Sequence, residues 1–464
     1  MAGSLGGSFS LTPSATKTTG TYNYISSADF NFLNQWLPDT YEKEFERYGN
    51  RSVASFLRMV GAELPSNSDM IKWTEQGRLH TQYTGVTAKT GGFSSGSQTF
   101  TVAATACNFR VGQTVILSSA AAAATLKGIV TAVSGADFTV AYYTEETSAP
   151  FAVTTTTDIV AYVYGSEFQK GTNGMEGSLE ADVDIFENSP IIIKDKYAIS
   201  GSDMAQIGWV EVATDSGTGY LWYLKSEHET RLRFEDYLEM SMIEGVYAEA
   251  TPTATNGAID NGYKGTEGLF AAIESRGNVW SGGNPDTLGE FDQIIERLDK
   301  QGAIQENVLF VNRAFGFAID DMLAQQNSYG TGGTSYGLFD NDEQMALNLG
   351  FSGFKRGYEF YKTDWKYLND ATLRGGITND NVNGVLVPAG TTTVYDMVLG
   401  KNATRPFLHV RYRASETEDR RMKNWLTGAA GGASNSDKDA MEVHFLSERA
   451  LCTMGANNFF IFKG

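Results

Sequence analysis

Gly92–Gly96 spell GFSSG, the spacing that sets a serine, here Ser94, on a strained turn as the nucleophile of an acyl-transfer enzyme. That chemistry requires a core strand before the serine and a helix after it. The residues that follow, SQTFTVAATA, read as a strand, so a glycine-serine turn is the better reading. His80, His228, His409 and His444 lie in separate segments, and none forms HExxH or another dense ligand spacing. Each is read as packing or as a surface hydrogen-bonding group. No GxxxxGK[ST] occurs, and GTGGTSYG lacks the lysine that reaches phosphates. Asp340, Asp342 and Glu343 cluster in DNDE without the glycine and terminal glutamate of an EF-hand loop, which leaves a solvated turn. No catalytic residue, cofactor or metal is assigned.

The remaining constellations are ionic. Thr218 to Ala250 is the longest proline-free run with helical periodicity, and Asp215 and Ser216 before it are N-cap types. One long helix is predicted. Tyr220, Leu224, Phe234, Leu238, Met242 and Val246 share a face, which Glu227, Arg231 and Glu235 interrupt at its middle. Glu227 with Arg231, Arg231 with Glu235, Lys225 with Glu229 and Glu229 with Arg233 are opposite charges four apart, worth about 0.2–0.5 kcal/mol each when solvated. Such a helix can stay formed as a strut whose middle no core wraps. Arg231 is expected to be held by Glu227 and Glu235 or by a neighbouring subunit. The most basic stretch, Arg411, Arg413, Arg420, Arg421 and Lys423, is interleaved with Glu416, Glu418 and Asp419. It reads as an ion-paired face between subunits, ahead of the alternative of a nucleic-acid patch.

The whole chain bounds what these groups can serve. Its 464 residues, 41% of them hydrophobic, supply two or three domains with cores. Fifty glycines against nine prolines, with many threonines, point to turns and β segments. A formal net charge of −19 argues against a broad grip on nucleic acid, which needs phosphate neutralisation. Cys107 and Cys452 are too few and too far apart for a disulfide framework and read as buried free thiols. No run reaches transmembrane length, and MAGSLGGSFSLT lacks the features of a signal peptide. A soluble, unexported chain without a removed pro-segment is expected.

Along the chain, residues 1–28 read as an extended arm and 28–60 as short helices kinked at Pro38. FRVGQTVILS, LKGIVTAVSGADFTVAYY and TTDIVAYVYG read as strands of a small barrel or sandwich, with a tight turn at Ser134 and Gly135. Its polar flanks read as two arms of a long hairpin. Past the linker TPTATNGAIDNGYKG, helical LFAAIESRGN and TLGEFDQIIERLDKQGA precede the buried strand NVLFVN and another helix, an α/β or α+β pattern. Thr287 and Glu290 have the spacing of a capping box. Residues 327–338 read as a loop, and the remainder as strands around a Gly/Ser-rich loop at 428–436.

This order of parts resembles the HK97-like major capsid proteins of tailed bacteriophages (Caudoviricetes), and in style those of the crAss-like phages. The N-terminal arm, the hairpin before a charged helix, the element NVLFVNRAFGFAIDDML and the terminal pair MEVHFLSERALCTMGANNFFIF carry the resemblance. It implies an α+β, HK97-like fold whose spine helix is Thr218–Ala250. It further implies an arm with short helices at 1–64, an extended loop at 65–85 and 165–205, an inserted small all-β domain at 86–164, a peripheral domain at 206–261, an axial domain at 262–408, and C-terminal strands at 409–464 returning to the peripheral domain. The implied function is a non-enzymatic structural subunit self-assembling into an icosahedral shell around a double-stranded DNA genome. Hexameric and pentameric capsomers, portal and auxiliary or head-fibre proteins, and packaged DNA without sequence-specific contacts are the implied partners, with no membrane. The implied location is the virion capsid, assembled in the host bacterial cytoplasm. A surface-layer or adhesive β-rich protein is the alternative, motivated by the Thr/Gly-rich barrel.

Overall fold

The computed structural model describes Ser52, Ala54, Phe56, Leu57 and residues 62–151, 158–180, 182–206, 212–214, 217–219, 222–248, 257–327, 353–389, 391–396, 401–432 and 434–464. The expected N-terminal arm, the N-cap candidates Asp215 and Ser216, Tyr220, the glycine-rich loop after Asn327 and the acidic turn at Asp340, Asp342 and Glu343 lie outside the described residues. The chain forms two compact units. One comprises Ser52–Asp195, Arg233–Trp425 and His444–Gly464, and the other Met1–Arg51, Lys196–Leu232 and Leu426–Val443.

In the larger unit, β1 (Ala62–Ser66) and β2 (Ile71–Gln76) precede a run of six strands. These are β3 (Gln82–Ser94), β4 (Ser97–Thr101), β5 (Gln113–Ser119), β6 (Ala124–Ser134), β7 (Asp137–Tyr142) and β8 (Ile159–Ser166). They close into a barrel in the order β3-β4-β7-β6-β5-β8, whose boundaries reach outside 86–164 at both ends. Period-two alternation sends Phe100, Val115, Leu117, Phe138, Val140, Ile159 and Ala161 inward, where all are buried. At Gly128 a Cβ would lie 2.4 Å from the Ala141 carbonyl oxygen, so only glycine lets β6 and β7 approach there. The buried Gln98 is satisfied internally. Its Nε2 donates to the Phe151 carbonyl at 2.8 Å, and its Oε1 accepts from the Tyr142 hydroxyl at 2.8 Å.

The next strands are β9 (Val183–Asn188) and β10 (Ile191–Ser200). The short helix α1 (Gly201–Met204) and the hairpin β11 (Val212–Thr214) and β12 (Gly217–Gly219) follow, and then the helix α2 (Trp222–Glu244). The expected helix start at Thr218 is therefore wrong, because Thr218 pairs with Ala213 in that hairpin. Its expected end at Ala250 is wrong too. Gly245 ends the helix where a Cβ would meet the Ser241 and Thr266 carbonyls at 2.6 Å, and Tyr247 bridges Gly265. Among its described members the apolar stripe is buried at Phe234, Leu238 and Met242. Leu224 is exposed, and Val246, 69% exposed, lies beyond the helix.

A six-stranded mixed sheet forms the main core. After α3 (Gly257–Asp260) come α4 (Leu269–Arg276), β13 (Asn278–Trp280), α5 (Leu288–Gln301), β14 (Glu306–Val311) and α6 (Arg313–Asn327). They are followed by β15 (Gly353–Arg356), β16 (Tyr358–Asp364), α7 (Lys366–Asn369) and β17 (Val382–Pro388). The last strands are β18 (Thr391–Asp396), β19 (Lys401–Pro406), β20 (Leu408–Arg413), β21 (Lys423–Gly428), β22 (Ala440–Thr453) and β23 (Phe460–Lys463). The sheet order is β13-β23-β17-β14-β16-β15. Alternation splits it into two faces. Phe310, Val385, Val387 and Ile461 pack with Leu269 and Ile273 of α4, Met242 and Ile243 of α2, Trp365 and Phe56. Leu309, Val311, Leu386, Phe460 and Phe462 pack with Phe291, Ile294 and Leu298 of α5 and Phe315 and Ile319 of α6. Thr287 caps α5 in a complete capping box with Glu290, and Gly302 ends it in the left-handed region at φ 70°.

Strand β23 sits between β13 and β17 and completes this sheet. A second mixed sheet runs β1-β20-β22-β10, with β21 also paired to β22 and β1 parallel to β20. In the smaller unit, Gly428 has φ 125° and a Cβ there would meet the Ala440 carbonyl at 1.8 Å. Asn435 closes this loop, accepting from Gly428 N at 2.8 Å and donating to the Leu426 carbonyl at 3.1 Å.

Candidate assembly interface

Strands β2 and β9 pair antiparallel with Ile71 opposite Asn188, Trp73 opposite Phe186 and Gln76 opposite Val183. Together they make a two-stranded ribbon that brackets the barrel in chain order, β2 preceding β3 and β9 following β8. Its two faces differ because side chains alternate. One face carries Ile71, Trp73, Phe186 and Asn188 onto the body, where Ile71 packs with Ala450 and Cys452. The other carries Lys72 and Glu187, ion-paired at 3.0 Å, and then Ile185 and Val183, which are 66% and 51% exposed. Apolar side chains therefore face outward along two strands that, among the described residues, pair only with each other.

The root of the ribbon is held by polar groups, of which Asn188 uses all of its donors and its acceptor. Asn188 is buried; its Nδ2 donates to the carbonyls of Leu451 at 2.7 Å and Glu267 at 2.9 Å. Its Oδ1 accepts from Ser189 N and Glu267 N at 2.8 Å and from the Thr266 hydroxyl at 3.1 Å. Glu75 Oε1 accepts from Trp73 Nε1 at 3.0 Å and from Gly455 N at 2.9 Å. Arg276, the last residue of α4, stands over Phe186 and Trp73 with ring distances of 4.4 and 5.7 Å. Its Nη2 meets Glu267 Oε2 at 2.7 Å. The sequence offers no local signal for this cluster, whose members come from five separate stretches.

The ionic residues expected on the long helix fall in different settings. Lys225 Nζ lies 3.9 Å from Glu229, four residues on. Arg233 Nε reaches Asp195 of β10 at 3.2 Å. Glu235 lines a cavity of about 450 Å³ with Leu238, Glu239, Glu63, Arg421 and Arg449. Arg231 is exposed. Sequence reasoning missed the two helix carboxylates with the clearest work. Asp236 accepts from the Ser52 hydroxyl at 2.8 Å and Ala54 N at 3.1 Å, and Glu239 accepts from Phe56 N at 2.9 Å. They hold the backbone that delivers Phe56 into the core, stacked on Trp365 at 4.6 Å.

The basic stretch pairs mostly with acids outside it. Arg413 meets Asp69, and Glu448 at 3.5 Å; Arg420 meets Glu448 at 3.1 Å. Arg421 meets Glu63, which also lies 3.5 Å from Arg449. Within the stretch, Lys423 meets Glu418 at 2.7 Å, and Asp419 accepts from the Arg421 backbone N–H at 2.8 Å. These contacts knit β1, β20 and β22 of one chain. The Arg413 guanidinium holds Asp69 below the usual carboxylate range, and burial lowers Arg449 against the opposing charge of Glu63.

Ser94, His409, His444 and both cysteines lie among the described residues. Ser94 ends β3 in a hairpin to β4, a strand–turn–strand geometry without the helix that a nucleophile elbow needs. His409 is buried opposite Cys452, and His444 stacks on Trp425 at 5.1 Å. Both cysteines are free thiols, and burial pushes Cys452 up to about 12.

No family model matches the sequence, and no curated protein matches it. Solved structures do. One titled Mycobacterium phage Ogopogo is 12% identical, with TM-score 0.40, covering 95% of this chain and 99% of that one. The capsid of a native GTA particle computed with C5 symmetry is 10% identical, with TM-score 0.39, covering 95% and 98%. The asymmetric unit of the bacteriophage PhiM1 mature capsid is 9% identical, with TM-score 0.35, covering 65% and 78%.

Proposed function

We propose that this chain is a major capsid protein of a tailed phage, an HK97-like subunit that closes with its copies into an icosahedral shell around double-stranded DNA. The observation that carries this is the β2–β9 ribbon, rooted by Asn188 and Arg276 while Ile185 and Val183 face outward. Such an element buries little within its own chain and gains stability by lying across a neighbour. Its place in chain order supports the same reading: ribbon and inserted barrel, then the helix Trp222–Glu244, then a mixed sheet with helices on both faces.

In this reading the ribbon is the extended loop, α2 the spine helix, and the six-stranded sheet, with β23 included, the axial domain. Hexameric and pentameric capsomers, a portal and auxiliary or head-fibre proteins are the partners, and assembly takes place in the host cytoplasm. The net charge of −19 keeps the wall from trapping the genome, so DNA is enclosed without sequence-specific contacts. Purified chain is expected to form capsomers or hollow particles by analytical ultracentrifugation and negative-stain microscopy. A stable monomer at high concentration overturns the proposal.

A further inference from the structure

We propose that Arg276 is a positioning residue that fixes the pose of the β2–β9 ribbon, and so the angle at which Ile185 and Val183 meet a neighbouring copy. The assembly half of this rests on the shell reading above. The ribbon's body-facing ring pair, Trp73 and Phe186, has centroids 6.2 Å apart. The Arg276 guanidinium covers both rings, 4.4 Å from Phe186 and 5.7 Å from Trp73. One edge of its fork is tied to Glu267 at 2.7 Å, and Nη1 lies 3.9 Å from Glu75 of the ribbon itself. Its side chain is only 16% exposed.

A planar cation with one face on the ribbon's aromatic pair and its edge on a body carboxylate constrains tilt as well as distance. A lysine ammonium, a point charge without a plane, constrains distance alone. Position also favours the arrangement. Arg276 ends α4, where backbone carbonyls attract a cation. Beyond this root the ribbon has no third strand among the described residues, so a tilt permitted at Trp73 is carried to Ile185 and Val183.

The test compares wild type with Arg276→Ala, Arg276→Lys and Phe186→Leu, the last keeping the ion pair with Glu267 while removing one ring. Amide hydrogen exchange by mass spectrometry is read on peptides covering 71–76 and 183–188, and particles are sized by negative stain. Each variant is expected to raise ribbon exchange by roughly tenfold, to leave exchange in β14 and β17 unchanged, and to turn uniform particles into mixed or open forms. Unchanged ribbon exchange in Arg276→Ala overturns the positioning role; if that variant does not fold, unchanged exchange in Phe186→Leu does so. Faster exchange with uniform particles of wild-type diameter overturns the role in assembly. A wild-type chain that forms no particle defeats the shell reading, while the exchange data still decide whether Arg276 fixes the ribbon.

Discussion

The barrel and the ribbon that brackets it in chain order use the same alternating strand grammar to opposite ends. In the barrel, six strands close on themselves around an apolar cluster that includes Val86, Phe100, Val115, Phe138, Val140 and Ala161. Closure leaves no free edge, so the barrel's stability is its own. In the ribbon, among the described residues, the two strands pair only with each other, and Ile185 and Val183 are exposed on its outer face. One region has spent its hydrophobic surface internally, and the other holds it for something else. On the shell reading, changes inside the barrel are expected to leave assembly intact, and changes on the ribbon's outer face to impair it.

The sharpest way to break this contrast is the double variant Val183→Asp with Ile185→Asp. Carboxylates forced into an apolar contact cost several kcal/mol, so particle formation is expected to fall by more than about a hundredfold. The thermal unfolding midpoint of the isolated subunit should stay unchanged, since both residues are solvated there. Particles at wild-type yield would show that this face is not a contact. The reciprocal change is Phe138→Ala, which removes a fully buried ring stacked on Phe100 with centroids 5.5 Å apart. It is expected to destabilise the barrel by about 3–5 kcal/mol, measured by denaturant titration, and to leave shells forming. Loss of shells with the main core intact would give the barrel a part in assembly.

How much of this was legible in the sequence follows the distance over which each feature is decided. The capping box of Thr287 and Glu290 is a three-residue matter, and the structure contains it as read. The strands around Ser134 and Gly135 are set by local alternation and a tight turn, and they form β6 and β7. The helix misjudged at both ends was decided by remote partners. Thr218 goes into a hairpin with Ala213, and Gly245 ends the helix where the backbone of Thr266 comes close. Likewise, the basic stretch around Arg413 and Arg421 invited pairing with Glu416, Glu418 and Asp419, its neighbours in sequence. Two of its main partners, Glu63 and Asp69, are brought by β1 lying parallel to β20. The Arg276 cluster and the insertion of β23 into the sheet are long-range in the same way, and periodicity carries no record of such pairings.

A finer comparison concerns two aspartates whose carboxyls are held below the usual range by different means. Asp69, at the turn into the ribbon, is lowered first by its hydrogen bond to Arg413 and then by that residue's charge. Asp158, at the barrel's last strand, is lowered by the Ser119 hydroxyl and by the amides of Ala120 and Ala121, without a cation. In both, the folded state favours the ionised form, so the stabilisation is present above the unfolded-state pKa and is lost as pH falls through the lowered folded-state value. Salt separates them. At 0.5 M the Debye length is well under the roughly 10 Å of 0.1 M solution, and an exposed ion pair is screened while short dipolar hydrogen bonds are not. Carbon-detected titration of labelled aspartates in the full chain, with Asp69→Asn and Asp158→Asn assigning the signals, should show the Asp69 midpoint rising with salt toward its ordinary value. The Asp158 midpoint should stay put. Equal movement of both would mean that the ribbon's root is held against the body no differently from the barrel's own turns.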